Sequence, residues 1–186
     1  MLDTLVTSKT RIKLLVKFFL NSTTRSYLRD LEAEFGESTN AIRQELNRFE
    51  EAGMLQSEID GNKKIFFANT RHPLFGDIHS ILLKYTGIDK VIENVLERIG
   101  GLEEAWLIGD FANGKDSPVI DLALVGDGIN VEALIGYIQK AEELSGRRIR
   151  HFILRTNEKA LIESQFPQRL LLWISKSNIG TTNYKN

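Results

Sequence analysis

The sequence predicts an α+β protein in which a helical domain ending in a β-hairpin precedes a domain of alternating strands and helices. Apolar residues recur at helical spacing from Ile12 to Phe49. Two short segments with alternating polarity then flank Asp60-Gly61, a strong hairpin signal. From Glu103 onward, short apolar runs alternate with a helical run.

Three helices are predicted before the hairpin. The first begins after Ser8, and Ser26 is predicted to cap a second, short helix that Gly36 closes. Ser38 or Thr39 is predicted to cap a third helix, which ends near Gly53. The few residues between the second and third helices are typical of a helix-turn-helix pair.

The hairpin is predicted to consist of Met54–Glu58 and Lys64–Ala68, joined by Asp60-Gly61-Asn62-Lys63. Glycine suits this turn because it tolerates the positive backbone dihedrals of a tight connection. A hairpin directly after the second helix of a helix-turn-helix pair is a wing.

The combined pattern has a known counterpart. The phrase Leu46–Leu55, the turn residues Gly61–Lys64 and the aromatic pair Phe66-Phe67 follow one another in order. Residues 8–70 therefore resemble the winged helix-turn-helix domains of ArsR- and MarR-like regulators. The resemblance implies a DNA-binding transcriptional regulator whose partner is double-stranded DNA and which forms a homodimer.

Helix geometry supplies the candidate DNA-binding residues. With Ile42, Leu46 and Phe49 facing inward, the opposite face of the third helix carries side chains that contact phosphates or base edges. Two lysines lie at the wing tip. The predicted set is Thr39, Asn40, Arg43, Gln44, Asn47, Lys63 and Lys64. The alternatives are that this face is only solvated, or that the domain binds protein instead of DNA.

Charge does not itself indicate a nucleic-acid partner. The net charge of the chain is -1. Residues 1–86 carry 12 basic and 11 acidic side chains, so the domain is nearly neutral. The prediction of DNA binding therefore depends on the motif and not on charge.

No metal or cofactor is predicted. The chain has no cysteine, which excludes disulfides, thiolate metal sites and cysteine nucleophiles. His72 and His79 lack a convincing ligand spacing apart from the pair Asp77 and His79.

Ile12–Leu20 is too short for a membrane span, and no signal-peptide pattern is present, so we expect a cytoplasmic protein with no membrane partner.

Residues 71–100 are predicted to form a helical connector. Pro73 suits the first turn of a helix, and the apolar residues that follow form one face as far as Gly87. A second apolar run leads to Gly100-Gly101. Such a face either forms a dimer interface or packs against the second domain, and the sequence leaves both open.

Residues 101–176 are predicted to form an α/β domain, and the polar residues 177–186 a flexible tail. Predicted strands lie at Ala105–Ile108, Ile120–Val125, Ile149–Leu154 and Leu170–Ile174, with a helix over Val131–Leu144.

The segments Gly109–Gly114 and Ser117–Leu122 resemble the signature of minimal nucleotidyltransferases. In that family a glycine turn cradles phosphates and several carboxylates hold divalent metal. Here Asp110 replaces the serine, Val119 replaces one carboxylate, and Arg148–Phe152 stands where the third is expected. Only Asp121 is retained, and Asp110 and Asp116 are interpreted as turn residues instead of metal ligands.

The resemblance therefore implies the fold without the chemistry. We expect no catalytic residue, no enzymatic activity, and a domain that senses a small-molecule effector or mediates assembly. The alternative is an active, atypical nucleotidyltransferase with a nucleic-acid-binding domain.

Overall fold

A computed structural model describes residues 2–175, and the predicted tail at 177–186 lies outside them. The chain forms two compact units. Unit 1 comprises the described residues up to Tyr85 together with Gly114–Asp116, and unit 2 comprises Thr86–Asn113 and the described residues from Ser117 onward. The residues predicted as a connector, 71–100, are thus divided between the units.

Unit 1 consists of helices followed by a hairpin and a further helix. Its elements are α1 (Leu2–Leu5), α2 (Lys9–Leu15), a π-helical turn (Val16–Leu20), β1 (Arg25–Tyr27), α3 (Leu28–Phe35), α4 (Thr39–Glu51), β2 (Leu55–Asp60), β3 (Lys63–Ala68) and α5 (Phe75–Thr86).

The three strands of unit 1 form an antiparallel sheet in the order β1-β3-β2. In the hairpin, Asp60 faces Lys63 and Leu55 faces Ala68. The first strand was not predicted, because Ser26 was expected to cap a helix. Ser26 is instead buried in β1 opposite Phe66, and α3 begins at Leu28 with no side-chain cap at Tyr27. This prediction was wrong since the long-range pairing of β1 with β3 outweighs a local capping preference.

Apolar faces of the helices form the core of unit 1. Phe18, Phe19, Leu31 and Ile42 are fully buried. The ring of Phe75 on α5 lies 5.7 Å from that of Phe19, so the first predicted connector helix packs within unit 1.

Unit 2 is a mixed strand and helix arrangement. Its elements are α6 (Ile88–Val91), a π-helical turn (Ile92–Leu96), β4 (Glu104–Ile108), α7 (Gly109–Ala112), β5 (Val119–Val125), α8 (Val131–Ser145), β6 (Arg148–Leu154), a 3-10 turn (Thr156–Glu158), α9 (Ala160–Gln165) and β7 (Leu170–Ile174).

The sheet of unit 2 has the order β6-β5-β4-β7. β5 and β6 are parallel, whereas β4 pairs antiparallel with both β5 and β7. β5 is almost wholly buried, as expected for a central strand. One face of the sheet packs around Ile162 of α9. The helix α9 itself was not predicted from the sequence.

These elements confirm the α+β class. Within the described residues, no helix is long and apolar enough to cross a membrane.

Candidate functional site

The exposed face of α4 presents most of the residues predicted to contact DNA. Ser38 caps this helix by accepting a hydrogen bond from the Ala41 amide at 3.2 Å. Ile42, Leu46 and Phe49 are buried, which turns the polar residues of the helix outward. Asn40, Arg43, Gln44 and Asn47 are exposed, and Thr39 is half-buried in the first turn.

A cleft of about 520 Å³ separates α4 from the β2–β3 hairpin. We call it the α4–hairpin cleft. Its polar lining residues are Tyr27, Arg29, Asp30, Arg43, Asn47, Asn62, Lys63 and Lys64, and its apolar lining residues are Leu28, Leu46 and Phe66. Four of the predicted residues, Arg43, Asn47, Lys63 and Lys64, thus share one surface, while Thr39, Asn40 and Gln44 lie outside it.

The two lysines of the hairpin have different surroundings. The Lys64 ammonium donates to the Glu50 carboxylate at 2.6 Å, while Lys63 lies 5.3 Å from the centre of the Tyr27 ring. The hydrogen bond from Lys64, aided by one from Ser57, lowers the pKa of Glu50. Glu50 therefore balances the charge of Lys64.

Tyr27, Arg29 and Asn62 are cleft residues that sequence reasoning missed. Arg29 belongs to α3, and Tyr27 to the strand that was not predicted. The Tyr27 hydroxyl donates to Asp60, and this hydrogen bond raises the pKa of Tyr27. The tyrosine thereby joins β1 to the tip of the hairpin. The basic residue at 29, in the first turn of α3, was the available signal.

A buried carboxylate fixes α4 on α2. Glu45 accepts two hydrogen bonds from Arg11, at 2.9 and 3.2 Å, and one from Arg48 at 3.1 Å. Its side chain is 9% exposed. Burial raises the pKa of Glu45, but the hydrogen bonds and charges of the arginines outweigh this effect and the pKa is lowered. The orientation of the exposed α4 face therefore depends on an ion pair.

Unit 2 brings Gly109, Asp121 and Arg150 together. Asp121 on β5 is the register partner of both Ile108 on β4 and Arg150 on β6. Arg150 donates to the two carboxylate oxygens of Asp121 at 2.6 and 3.0 Å. This pairing with Asp121 raises the pKa of Arg150, and Asp110 contributes a weaker attraction.

Gly109 is required for this arrangement. Its φ of +67° lies in the left-handed region, and a Cβ atom there would stand 2.5 Å from Asp121 Oδ2. The missing side chain allows the carboxylate to lie directly against the turn that ends β4.

The carboxylates of unit 2 do not fit the divalent metal site that the nucleotidyltransferase resemblance implies. Both oxygens of Asp121 accept hydrogen bonds from Arg150. Two residues earlier on β5, where the resemblance implies a second carboxylate, the residue is Val119. Among the described residues, no group of three or more His, Cys, Asp or Glu side chains is placed to hold a metal ion.

The two histidines considered as metal ligands have other contacts. His72 Nδ1 accepts a hydrogen bond from the Leu74 amide at 3.2 Å. His79 Nδ1 lies 2.8 Å from the Phe19 carbonyl oxygen, and its ring stacks on Phe75. Both contacts position α5 and the turn before it.

Comparison with known proteins gives structural similarities alone. No family model and no curated protein matches the chain. A variant of the toxin-antitoxin pair MntA-HpeT is 22% identical over 49% of this chain and 75% of that chain, with a TM-score of 0.40. A proposed nucleotidyltransferase from Sulfolobus solfataricus is 21% identical over 54% and 88%, with a TM-score of 0.37.

A third structure contains a tri-AMPylated HEPN toxin from Shewanella oneidensis in complex with an MNT antitoxin. It is 18% identical over 50% of this chain and 75% of that chain, with a TM-score of 0.36. The names of these proteins refer to nucleotidyl transfer and AMPylation. The prediction that the chain is not an enzyme is contradicted by these similarities, and we withdraw it.

Proposed function

We propose that unit 1 binds double-stranded DNA as a winged helix and that the protein is a transcriptional regulator. The observation that carries this proposal is the α4–hairpin cleft. Arg43 and Asn47 from the exposed face of α4 and Lys63 from the hairpin line the same cleft. The helix and the hairpin present polar donors side by side. They could therefore contact a groove of the DNA and the adjacent phosphate backbone at the same time.

Each side chain has a physical role in this proposal. The major groove of B-DNA admits an α-helix, where arginine pairs with guanine and asparagine with adenine through bidentate hydrogen bonds. Lysine contacts phosphates and contributes affinity without reading sequence. We therefore assign base recognition to Arg43 and Asn47, and backbone contact to Lys63. In this proposal unit 2 senses an effector or mediates assembly.

The proposal is tested by equilibrium binding of the full chain to fluorescent duplexes selected from a random pool. We expect Arg43→Ala to weaken binding by ~10-fold or more, a loss equivalent to about 1–3 kcal/mol. Arg71→Ala is the matched control, because Arg71 is an exposed arginine of unit 1 outside the cleft. Equal affinity of Arg43→Ala and the parent would refute the assignment of α4.

Nucleotidyl transfer by unit 2 is a second candidate function. It is favoured by the position of Asp121, a buried carboxylate that lies against the Gly109 turn with Asp110 close by. Arg150 donates to both Asp121 oxygens, so participation of Asp121 in transfer would require this ion pair to open.

Incubation with labelled nucleoside triphosphates, magnesium or manganese, and candidate protein and RNA acceptors tests this function. Label transfer by the parent that is lost in Asp121→Asn but kept in Asp127→Asn would establish it. Asp127 is a suitable control because it is exposed and follows β5. The absence of label from every acceptor would count against it and would leave the DNA-binding proposal unaffected.

A further inference from the structure

Asp121 on β5 is a buried carboxylate whose charge must be balanced. A buried charge in a protein is paired with an opposite charge or bound to a metal ion, because an unpaired charge away from water is strongly unfavourable. The Asp121 side chain is 9% exposed, and its counter-charge comes from Arg150 on the neighbouring strand β6. The guanidinium therefore takes the place in which a metal ion would balance the carboxylate.

The contact between these two side chains is bidentate. Arg150 Nε donates to Asp121 Oδ1 at 2.6 Å, and Arg150 Nη2 donates to Oδ2 at 3.0 Å. The parallel register of β5 and β6 pairs the two residues, so the backbone itself places them side by side. A cation that bound both oxygens of Asp121 would have to displace a guanidinium that cannot lose its charge by deprotonation.

The turn after β4 lies against the same carboxylate from another direction. A Cβ atom at Gly109 would stand 2.5 Å from Asp121 Oδ2 and 3.1 Å from Cγ, so the backbone of the turn occupies the space beside this oxygen. Mg²⁺ in proteins usually keeps several of its water ligands. Asp121 thus lies between a backbone turn and a guanidinium, which leaves little space for a hydrated cation.

Two other aspartates near Asp121 in the sequence do not complete a metal site with it. Asp116 belongs to unit 1, where the Tyr85 hydroxyl donates to its carboxylate at 3.3 Å. Asp110 is exposed, and its charge attracts Arg150. The negative charge around the turn is therefore directed toward the guanidinium.

The other buried carboxylate of unit 2 is balanced in the same way. Among the described residues of this unit, Glu104 and Asp121 are the acidic side chains that are buried. Glu104 accepts a hydrogen bond from the Lys159 ammonium at 2.6 Å. Each buried acid of unit 2 thus has a basic side chain of its own chain as its counter-ion.

We propose that the Arg150 guanidinium replaces a divalent cation at Asp121, and that the side chain at position 150 decides which cation this place holds. With arginine there, unit 2 has a built-in cation and binds no metal ion at Asp121. A carboxylate there would lie beside Asp121 on the neighbouring strand, with Asp110 close by, and would create a site for Mn²⁺ or Mg²⁺. This inference goes beyond both proposed functions and depends on neither.

A gain of metal binding tests the proposal. Binding of Mn²⁺ to the full chain is measured from the loss of the electron paramagnetic resonance signal of the free ion. The parent is expected to show no saturable binding, whereas Arg150→Asp is expected to bind one ion per chain. Addition of Asp121→Asn to that variant is expected to weaken binding by ~10-fold or more. Lys140→Asp is the control, because it makes the same charge change at an exposed position of α8.

Melting temperatures with Mn²⁺ and with a chelator supply an independent measurement. The parent and Arg150→Lys, which keeps a cation, are expected to melt at the same temperature in both. Arg150→Gln removes the cation without adding a carboxylate, so Mn²⁺ is expected to raise its melting temperature. This variant also serves if the repulsion between carboxylates prevents Arg150→Asp from folding.

Three results would each overturn the proposal. The first is saturable Mn²⁺ binding by the parent that Asp121→Asn removes. The second is a folded Arg150→Asp variant that binds Mn²⁺ no better than Lys140→Asp, and the third is a melting temperature of Arg150→Gln that does not respond to Mn²⁺. Neither DNA binding nor label transfer enters these measurements, so their failure is distinct from the failure of either proposed function.

Discussion

The ammonium of Lys64 lies 2.6 Å from the Glu50 carboxylate, which ties β3 to the C-terminal half of α4. Lys63, the preceding residue, contacts the face of the Tyr27 ring. Adjacent lysines of one hairpin are thus unequal: both ammonium groups lie over an aromatic ring, but only that of Lys64 is also paired with an acid. The difference has a direct consequence for the proposed binding of DNA.

We predict that Lys63→Ala weakens DNA binding more than Lys64→Ala. Because the Lys64 ammonium is already paired with Glu50, it is less available than that of Lys63 for contact with a phosphate. The slope of log affinity against log salt is expected to fall by about one for Lys63→Ala and by less for Lys64→Ala. Titration of both variants and of Lys9→Ala over a salt series measures this, with Lys9 as an exposed lysine outside the cleft. Equal slopes for Lys63→Ala and Lys64→Ala would contradict the different roles.

Glu45 is predicted to make stability depend on pH. Its pKa is lowered in the folded state, so the stabilisation is complete above its ordinary value of about 4.3 and declines as the pH falls through the lowered pKa. Glu45→Gln is expected to lower the free energy of unfolding by about 1–2 kcal/mol at pH 7. The difference between variant and parent should shrink toward pH 3.

Urea unfolding at pH 7, 5 and 3 provides the measurement. Glu51→Gln is the control, because Glu51 is an exposed residue of the same helix. A loss for Glu45→Gln that is the same at all three pH values would show that the carboxylate charge is not the stabilising group.

Arg150 is predicted to stabilise unit 2 through Asp121. The Asp121 side chain is only 9% exposed, so Arg150→Ala leaves a buried carboxylate without the two hydrogen bonds that Arg150 donates. We expect this variant to lower the free energy of unfolding by more than Arg148→Ala does. Arg148→Ala is expected to lose at most about 1 kcal/mol, since the Arg148 side chain is 83% exposed.

A double-mutant cycle separates the pair from its surroundings. The combined variant Asp121→Asn with Arg150→Ala is expected to lose less than the sum of the two single losses. Strict additivity would mean that the two groups do not interact in solution.

Gly109→Ala is predicted to destabilise unit 2 by more than about 1 kcal/mol. The new methyl group meets Asp121 Oδ2 at 2.5 Å, and the left-handed backbone adds strain of about 1–2 kcal/mol. Gly100→Ala is the control, because a Cβ there meets nothing within 4 Å and its φ is not positive. Thermal unfolding of both variants measures the effect. Similar melting temperatures would show that the turn relaxes away from Asp121.

Local patterns were sufficient to predict much of the fold. Helical periodicity identified Ile42, Leu46 and Phe49 as the buried face of α4, and alternation around Gly61 identified the hairpin. Four strands of unit 2 were located because short apolar runs bounded by turns leave few alternatives.

The errors lie where distant parts of the chain meet. β1 has only three residues and forms because β3 pairs with it, so its own sequence gives little signal. The pairing of Arg150 with Asp121 depends on the parallel register of β5 and β6, which residue spacing does not encode. Likewise, Glu50 and Lys64 belong to separate elements, and their contact emerges only from the packing of the hairpin on α4.

The central claim is that α4 reads DNA sequence through Arg43 and Asn47. Repeated selection of duplexes from a random pool by the full chain, followed by sequencing, tests it most directly. We predict that the parent enriches a defined sequence and that Arg43→Ala loses preference at particular positions, whereas Arg71→Ala enriches the same sequence as the parent. Enrichment of no sequence by the parent, or of an identical sequence by Arg43→Ala, would contradict the claim.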